Sequence, residues 1–116
     1  GSFLNVHEGP QIISSKGSVN FKHGMIVSNE PGYYKKNKYG IRIENLILAK
    51  VAKNILKFET ITFAPLEKQL IDRNFLSKEE IQWIDDYHTQ VRKHLLPFMN
   101  SKQSKWLKAE TEKIIH

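Results

Sequence analysis

The residues MIVSNEPGYY at positions 25–34 and GIRIENLIL at positions 40–48 decide the fold of this chain. Both stretches are rich in β-branched and aromatic residues, which favour strands. Each carries one glutamate: Glu30 lies just before a Pro31-Gly32 turn, and Glu44 lies within the second predicted strand, two residues after Arg42. Two carboxylates on neighbouring strands can share a pair of hard cations. These two stretches therefore hold the first candidates for chemistry.

The predicted strands extend outward from these stretches. Alternation of apolar and polar residues, ended by glycine or proline, predicts strands over residues 2–7, 25–29, 41–51 and 56–63. Residues 33–39 are predicted to form a polar hairpin tip. Within 41–51 the even-numbered residues share one face, which places Arg42 and Glu44 on the same side.

Helical periodicity begins after about residue 65. Ser77 followed by Glu80 is a capping box, and it predicts a helix over residues 78–99 that Pro97 bends or ends. A second helix is predicted from about residue 105 to 113, with Ser104 as its cap and with Trp106, Leu107 and Ile114 packed inward. The pattern predicts an α+β fold, in which antiparallel strands precede a helical C-terminal part.

The composition is typical of a soluble protein of 116 residues, with 40% hydrophobic and 26% charged residues. No apolar run approaches the roughly 20 residues that span a bilayer, and no secretion signal is visible. The chain has no cysteine, which excludes disulfides, thiol catalysis and cysteine zinc sites. We therefore expect a cytoplasmic protein with no membrane partner.

The net charge of +6 raises nucleic-acid binding as a weaker alternative. Such binding would need basic residues clustered with aromatic residues on one face. The dense basic cluster is Lys35-Lys36-Asn37-Lys38, which lies in the predicted hairpin tip and is read as a solvated turn. No nucleic-acid partner is expected.

Residue types alone leave the role of the candidate side chains open. Glu30 and Glu44 have apolar neighbours in sequence, where a buried carboxylate needs a partner or a metal. Spacing by itself favours surface carboxylates, or a salt bridge between Arg42 and Glu44. His7 either binds a metal or substrate, or is satisfied by a backbone carbonyl. His88 falls on the apolar stripe of the first helix, where it is predicted at the edge of the core.

Five segments together resemble the Xaa-Pro aminopeptidase (aminopeptidase P) family, which has the pita-bread metallopeptidase fold. They are GSFLNVHEGP at 1–10, NEPGYY at 29–34, GIRIEN at 40–45, TFAPLEKQLID at 62–72 and EEIQWIDDYH at 79–88. The resemblance implies that residues 1–61 are the C-terminal part of a pita-bread catalytic domain. Residues 62–116 would then be the helical C-terminal extension of that family's longer branch.

The resemblance also implies a reaction and a set of roles. Members of the family hydrolyse the bond between an N-terminal residue and proline with two divalent cations, usually Mn²⁺, held by two aspartates, one histidine and two glutamates. Glu30 and Glu44 resemble the two glutamate ligands, and Glu30 would also act as acid or base. His7 resembles a histidine that hydrogen-bonds the substrate. Arg42 and Tyr34 resemble the residues that orient the ligating carboxylates.

The family's histidine and aspartate ligands would precede the first residue of this sequence. Asp72, Asp85 and Asp86 lie in the helical part and match none of them. We therefore expect a fragment that lacks three of five ligands, binds Mn²⁺ weakly and has no peptidase activity alone. The alternative is a non-enzymatic interaction module, and the resemblance makes a homodimer reasonable.

Overall fold

The structure is a computed structural model that describes residues 6–114. Within this range the chain forms two compact units, one ending at Thr62 and the other beginning at Phe63. The first contains five strands: β1 (Ile26–Asn29), β2 (Gly32–Lys35), β3 (Tyr39–Arg42), β4 (Asn45–Ala52) and β5 (Ile55–Thr60). The second contains two α-helices, α1 (Lys78–Leu95) and α2 (Ser101–Glu110), and three short 3-10 helices, Lys68–Leu70, Arg73–Phe75 and Leu96–Phe98. The predicted α+β class is confirmed.

The first unit is built on two antiparallel ladders. A three-stranded sheet has the order β1-β4-β5, and a separate two-stranded ladder joins β2 to β3. Along β4 the odd-numbered side chains Asn45, Ile47 and Ala49 are buried, whereas the intervening side chains are more exposed. This period of two is the one expected of a strand that packs on one face only.

The predicted strand over residues 41–51 is wrong in one respect, because it is two strands. β3 ends at Arg42 and β4 begins at Asn45, so Glu44 lies in the break and not in mid-strand. Pro31 lies opposite this break, and proline has no N–H to donate to the ladder. Among the backbone bonds of residues 6–114, one crosses the break, from the N–H of Ile43 to the carbonyl of Pro31 at 3.2 Å.

The predicted hairpin tip over residues 33–39 is also too long. β2 continues to Lys35 and β3 begins at Tyr39, so only residues 36–38 form the turn, with Asn37 at a positive φ of 57°. The aromatic residues at 33, 34 and 39 favour the extended conformation, which explains why the strands reach so far. Lys35, Lys36 and Lys38 are exposed, as predicted for a solvated turn.

The other strand predictions have mixed outcomes. The strand over 25–29 is confirmed as β1, and the strand over 56–63 is present as β5, displaced towards the N-terminus. Of the strand predicted over 2–7, residues 2–5 lie outside the described range. Val6 and His7 are not in a strand.

The second unit begins its main helix where the sequence predicts. Ser77 accepts from the N–H of Glu80, and the Glu80 carboxylate accepts from the N–H of Ser77, so the capping box is confirmed. The α-helix ends at Leu95, before Pro97. Its inward stripe meets α2 in a core made of Tyr87, Val91 and Leu107, against which five partly buried residues pack: Phe63, Leu66, Leu95, Leu96 and Met99.

The second helix starts earlier than predicted. Asn100 and Gln103 form a reciprocal capping box, so α2 begins at Ser101 and Ser104 is not its cap. Leu107 is fully buried as predicted and Ile114 is partly buried, whereas Trp106 is exposed. The carbonyls at the end of α2 are satisfied by two cations, as helix termini require: Lys68 binds Ala109, and Arg92 binds Thr111.

His88 lies in the interior of the helical unit, so the prediction that it lies at the edge of the core is wrong. The residue is fully buried, and its Nε2 accepts from the N–H of Leu66 at 3.0 Å. Its Nδ1 has no hydrogen-bond partner within residues 6–114. Burial, reinforced by the nearby charges of Lys68 and Arg92 and opposed by Asp85, lowers the pKa of His88 below its usual value.

This lowered pKa predicts acid sensitivity of the helical unit. As the pH falls below about 6.5, an unfolded chain protonates histidine while the folded chain resists, so the free energy of unfolding decreases. We expect His88→Gln, which keeps an acceptor for Leu66, to reduce the slope of stability against pH. Urea unfolding followed by circular dichroism at a series of pH values measures this slope. His94→Gln, on the exposed side of the same helix, should leave it unchanged; an equal slope for the wild type and His88→Gln would contradict the prediction.

Candidate metal centre

The centre of the candidate site is set by strand register. β1 pairs with β4 up to Asn29 opposite Asn45, and β2 pairs with β3 from Gly32 opposite Arg42. Both ladders are antiparallel and in the same register, so the two residues between them on each side also face each other. Glu30 therefore lies opposite Glu44, at the break between the ladders.

One guanidinium group connects the two glutamates. Arg42 Nε lies 3.0 Å from Glu44 Oε2 and 4.0 Å from Glu30 Oε2. Because both distances start from the same Arg42 nitrogen, the Oε2 atoms of Glu30 and Glu44 lie close to each other. The side chains are 29% exposed for Glu30 and 41% for Glu44, so solutes can reach both. The structure thus contains the Arg42–Glu44 salt bridge that residue types favour, and it brings Glu30 to the same cation.

Ser28 fixes the orientation of Glu30, and the sequence reasoning missed this residue. The Ser28 hydroxyl donates to Glu30 Oε1 at 2.8 Å. The available signal was spacing, because residues two apart in an extended segment lie on one face. This bond leaves Glu30 Oε2 for other partners.

Tyr34 lies beside Arg42 on the β2–β3 ladder. Its ring faces the backbone of two glycines: a Cβ added to Gly32 would meet the Tyr34 hydroxyl at 2.7 Å, and one added to Gly40 would meet Tyr34 Cδ1 at 2.6 Å. The neighbouring Tyr34 hydroxyl and, after it, the charge of Glu44 raise the pKa of Arg42. Arginine is a cation at every accessible pH, and the Arg42 Nε is held by Glu44.

His7 lies at the margin of this group. Its Nδ1 is 3.7 Å from Glu30 Oε1, and its side chain is 71% exposed. A ring in this position is free to contact a bound molecule and keeps one edge towards Glu30. The alternative was that a backbone carbonyl accepts a hydrogen bond from His7. No bond of this kind is found among the described residues.

The donor chemistry of this group fits a hard divalent cation. Carboxylate oxygens are the ligands that Mn²⁺ and Mg²⁺ prefer. Two carboxylates face one guanidinium, so their negative charge exceeds the positive charge beside them. Glu30 and Glu44 would hold the cation, and Ser28 and Arg42 would orient the two carboxylates. Two carboxylates are fewer ligands than a tight site uses.

The remaining histidines and aspartates lie elsewhere. His23 Nδ1 accepts from the N–H of Val51, His88 is buried in the helical unit, and Asp72 caps a 3-10 helix. Asp85 accepts from the N–H of Ile114, and Asp86 accepts from Gln82. In the range 6–114 no three histidine, cysteine or acidic side chains form a cluster that could hold a metal ion.

Comparison with sequence families gives two matches that together span most of the chain. Residues 1–50 match metallopeptidase family M24, and residues 54–114 match the C-terminal region of peptidase M24. A probable Xaa-Pro aminopeptidase P of Coprinopsis cinerea is 44% identical over 98% of this chain. Aminopeptidase P1 of Arabidopsis thaliana is 42% identical over 98% of it. The match covers 20% and 19% of these relatives, so the chain spans about a fifth of their length.

A solved structure is similar over nearly the whole chain. X-prolyl aminopeptidase of Caenorhabditis elegans, described as a cytosolic enzyme with a di-nuclear active site, matches 97% of this chain and 20% of its own with a TM-score of 0.80 and 35% identity. This match confirms the predicted fold, which is the C-terminal part of the pita-bread fold. It also agrees with the resemblance on which the candidate residues rest.

Proposed function

The chain belongs to metallopeptidase family M24, and on that premise we propose that it contributes two glutamate ligands to the di-metal centre of an Xaa-Pro aminopeptidase. The complete centre would hydrolyse the bond between an N-terminal residue and a following proline. The substrates would be peptides with proline at the second position. Three further ligands, one histidine and two aspartates, would come from outside the described residues.

One observation carries this proposal. The β1–β4 and β2–β3 ladders share a register that places Glu30 opposite Glu44, and Arg42 contacts both carboxylates. A surface ion pair needs only one carboxylate for each cation. Two carboxylates across one strand pair, with Ser28 bound to one of them, support the assignment of both as ligands of adjacent cations.

Each side chain has a distinct part in the proposal. Divalent cations, when bound, supply an activated water and polarise the scissile carbonyl. Glu30 and Glu44 hold them, and Glu30 also accepts and returns a proton. Arg42, seated by Tyr34, keeps the Glu44 carboxylate in one orientation. His7, on the exposed side of Glu30, donates a hydrogen bond to the substrate.

Three finer assignments rest on the same premise. We propose Mn²⁺ as the cation, because carboxylate ligands suit it. We propose residues 1–61 as part of the catalytic domain and 62–116 as the helical extension, a division close to that between the two compact units. We propose a cytoplasmic location, since the Caenorhabditis elegans relative is described as cytosolic. Within residues 6–114 no helix has the length and hydropathy needed to cross a membrane.

The proposal predicts weak Mn²⁺ binding that depends on both glutamates. We expect the 116-residue chain to bind Mn²⁺ with a dissociation constant of about 1 mM, since few ligands are present. Glu30→Gln and Glu44→Gln should each weaken binding by roughly tenfold, because the amide removes the ligand charge. Titration calorimetry, or the loss of the free Mn²⁺ electron paramagnetic resonance signal, measures this.

Glu59→Gln is the matched control for that titration. Glu59 is a carboxylate on β5 of the same unit, and it pairs with Lys50 instead of Arg42. Its replacement should leave Mn²⁺ binding unchanged. Equal effects of the Glu59, Glu30 and Glu44 substitutions would indicate nonspecific charge and would overturn the assignment of the ligands.

A second prediction concerns catalysis by this chain alone. Because the proposal assigns only two of the five ligands to the described residues, we expect no Mn²⁺-dependent release of arginine from an Arg-Pro-Pro peptide. The assay is chromatographic separation of the products after incubation with purified chain. Turnover that Glu44→Gln abolishes would show that the chain is sufficient, and the expectation of an incomplete site would be wrong.

A non-enzymatic interaction module is the second candidate function, and one observation favours it. Several large apolar side chains of β4 and β5 are exposed in the first unit: Val51, Ile55, Leu56 and Phe58. Exposed apolar groups of this kind are typical of surfaces that bind another chain. We expect a homodimer, which light scattering after size-exclusion chromatography would show as twice the mass of 13.5 kDa. A monodisperse monomer at micromolar concentration would count against this candidate.

A further inference from the structure

Glycine in the interior of a strand needs a physical reason. It lowers strand stability relative to alanine, because it loses more backbone freedom and has no side chain to pack. Gly40 lies within β3 and Gly32 is the first residue of β2, and neither has the positive φ that would call for glycine. Backbone conformation therefore does not explain why glycine occupies these two positions.

The reason is steric, and it involves the same aromatic ring at both positions. Tyr34 is paired with Gly40 and lies two residues after Gly32. A methyl group on Gly40 would lie 2.6 Å from Tyr34 Cδ1, and one on Gly32 would lie 2.7 Å from the Tyr34 hydroxyl. Real Cβ atoms essentially never show contacts shorter than 3.0 Å. The two glycines form a seat for the ring, which we call the glycine seat.

The glycine seat directs the Tyr34 hydroxyl towards Arg42. Gly32 is paired with Arg42, and the hydroxyl lies over Gly32. The hydroxyl therefore reaches the position on the ladder from which the Arg42 side chain departs. Tyr34 is 64% exposed, so packing by other side chains does little to hold it.

We propose that Gly40 and Gly32 are positioning residues, which act through Tyr34 to hold Arg42 between Glu30 and Glu44. This inference deepens the proposed function and rests on it for its catalytic meaning. In this proposal the glycine seat holds the ring, the hydroxyl restrains the guanidinium, and the guanidinium contacts both carboxylates. A side chain at either glycine moves the ring away and releases Arg42.

The competing explanation is purely structural. Aromatic rings often cover a glycine on the neighbouring strand and stabilise the pair of strands. In that case the ring would matter for hairpin stability alone, and Arg42 would not depend on it. The two explanations differ in what happens to Arg42 when the chain remains folded.

The test measures the exchange of the Arg42 Nε–H with water by nuclear magnetic resonance, in the 116-residue chain without metal. This proton is protected in the wild type, since Nε lies 3.0 Å from Glu44 Oε2. We expect Gly40→Ala to raise its exchange rate by about tenfold, the size expected for one lost hydrogen bond. Gly32→Ala should act in the same direction. Circular dichroism establishes that each variant is folded.

A double-mutant cycle separates action through Tyr34 from a direct effect. Tyr34→Ala should raise the exchange rate as much as Gly40→Ala does, and the double variant should show no further increase. Tyr33→Ala is the matched control, because Tyr33 is on the same strand but its ring lies near Tyr39. It should leave Arg42 unchanged. Independent, additive effects, or an unchanged exchange rate in folded Gly40→Ala, would overturn the inference.

A separate titration distinguishes failure of this inference from failure of the proposed function. Gly40→Ala should also weaken Mn²⁺ binding by roughly tenfold, the low end of the cost of losing a partner that orients a ligand. If the wild type binds no Mn²⁺ but Arg42 responds to Gly40→Ala, the positioning stands and the proposed metal site fails. If Mn²⁺ binding depends on both glutamates but Arg42 does not respond, the positioning fails and the metal site stands.

Discussion

The register of one long antiparallel strand pair is the constraint on which the candidate site depends. Asn29 faces Asn45 at one end of the break, and Gly32 faces Arg42 at the other. A slip of one residue on either strand would move every side chain to the opposite face. Glu30 and Glu44 would then no longer meet. The alternation of buried side chains along β4 holds this register, because Ile47 and Ala49 reach the interior in this alignment.

Pro31 interrupts the ladder at the point where the two carboxylates lie. A continuous ladder would hold these residues in regular strand geometry, with both backbone groups committed to hydrogen bonds. At the break the Ile43 N–H still donates to the Pro31 carbonyl. The carboxylates thus lie in a short irregular stretch between two regular ladders, which is a common way to place functional groups on a rigid frame.

The two glutamates and their partners form a polar group whose centre is a cation. Arg42 accounts for one positive charge between two carboxylates, and the contact of its Nε with Glu44 restricts its motion. Ser28 restricts Glu30 from the other side. Exposed ion pairs contribute little to stability, so these contacts orient the two carboxylates more than they stabilise the fold.

The sequence by itself determined a great deal about this protein. Strand and helix propensities gave β1, the start of α1 and the α+β class, because local signals such as the Ser77–Glu80 capping box act within a few residues. The motifs around Glu30, Arg42 and Glu44 indicated the family. The tertiary structure alone decided the break between β3 and β4 and the full burial of His88, whereas the earlier start of α2 has a local signal in the Asn100–Gln103 capping box. It also decided that Ser28 holds Glu30 and that two glycines seat Tyr34. The strand break and the seating of Tyr34 depend on which strands pair and in what register, and the burial of His88 brings it to Leu66, 22 residues away. Such contacts between residues distant in sequence leave no local pattern to read.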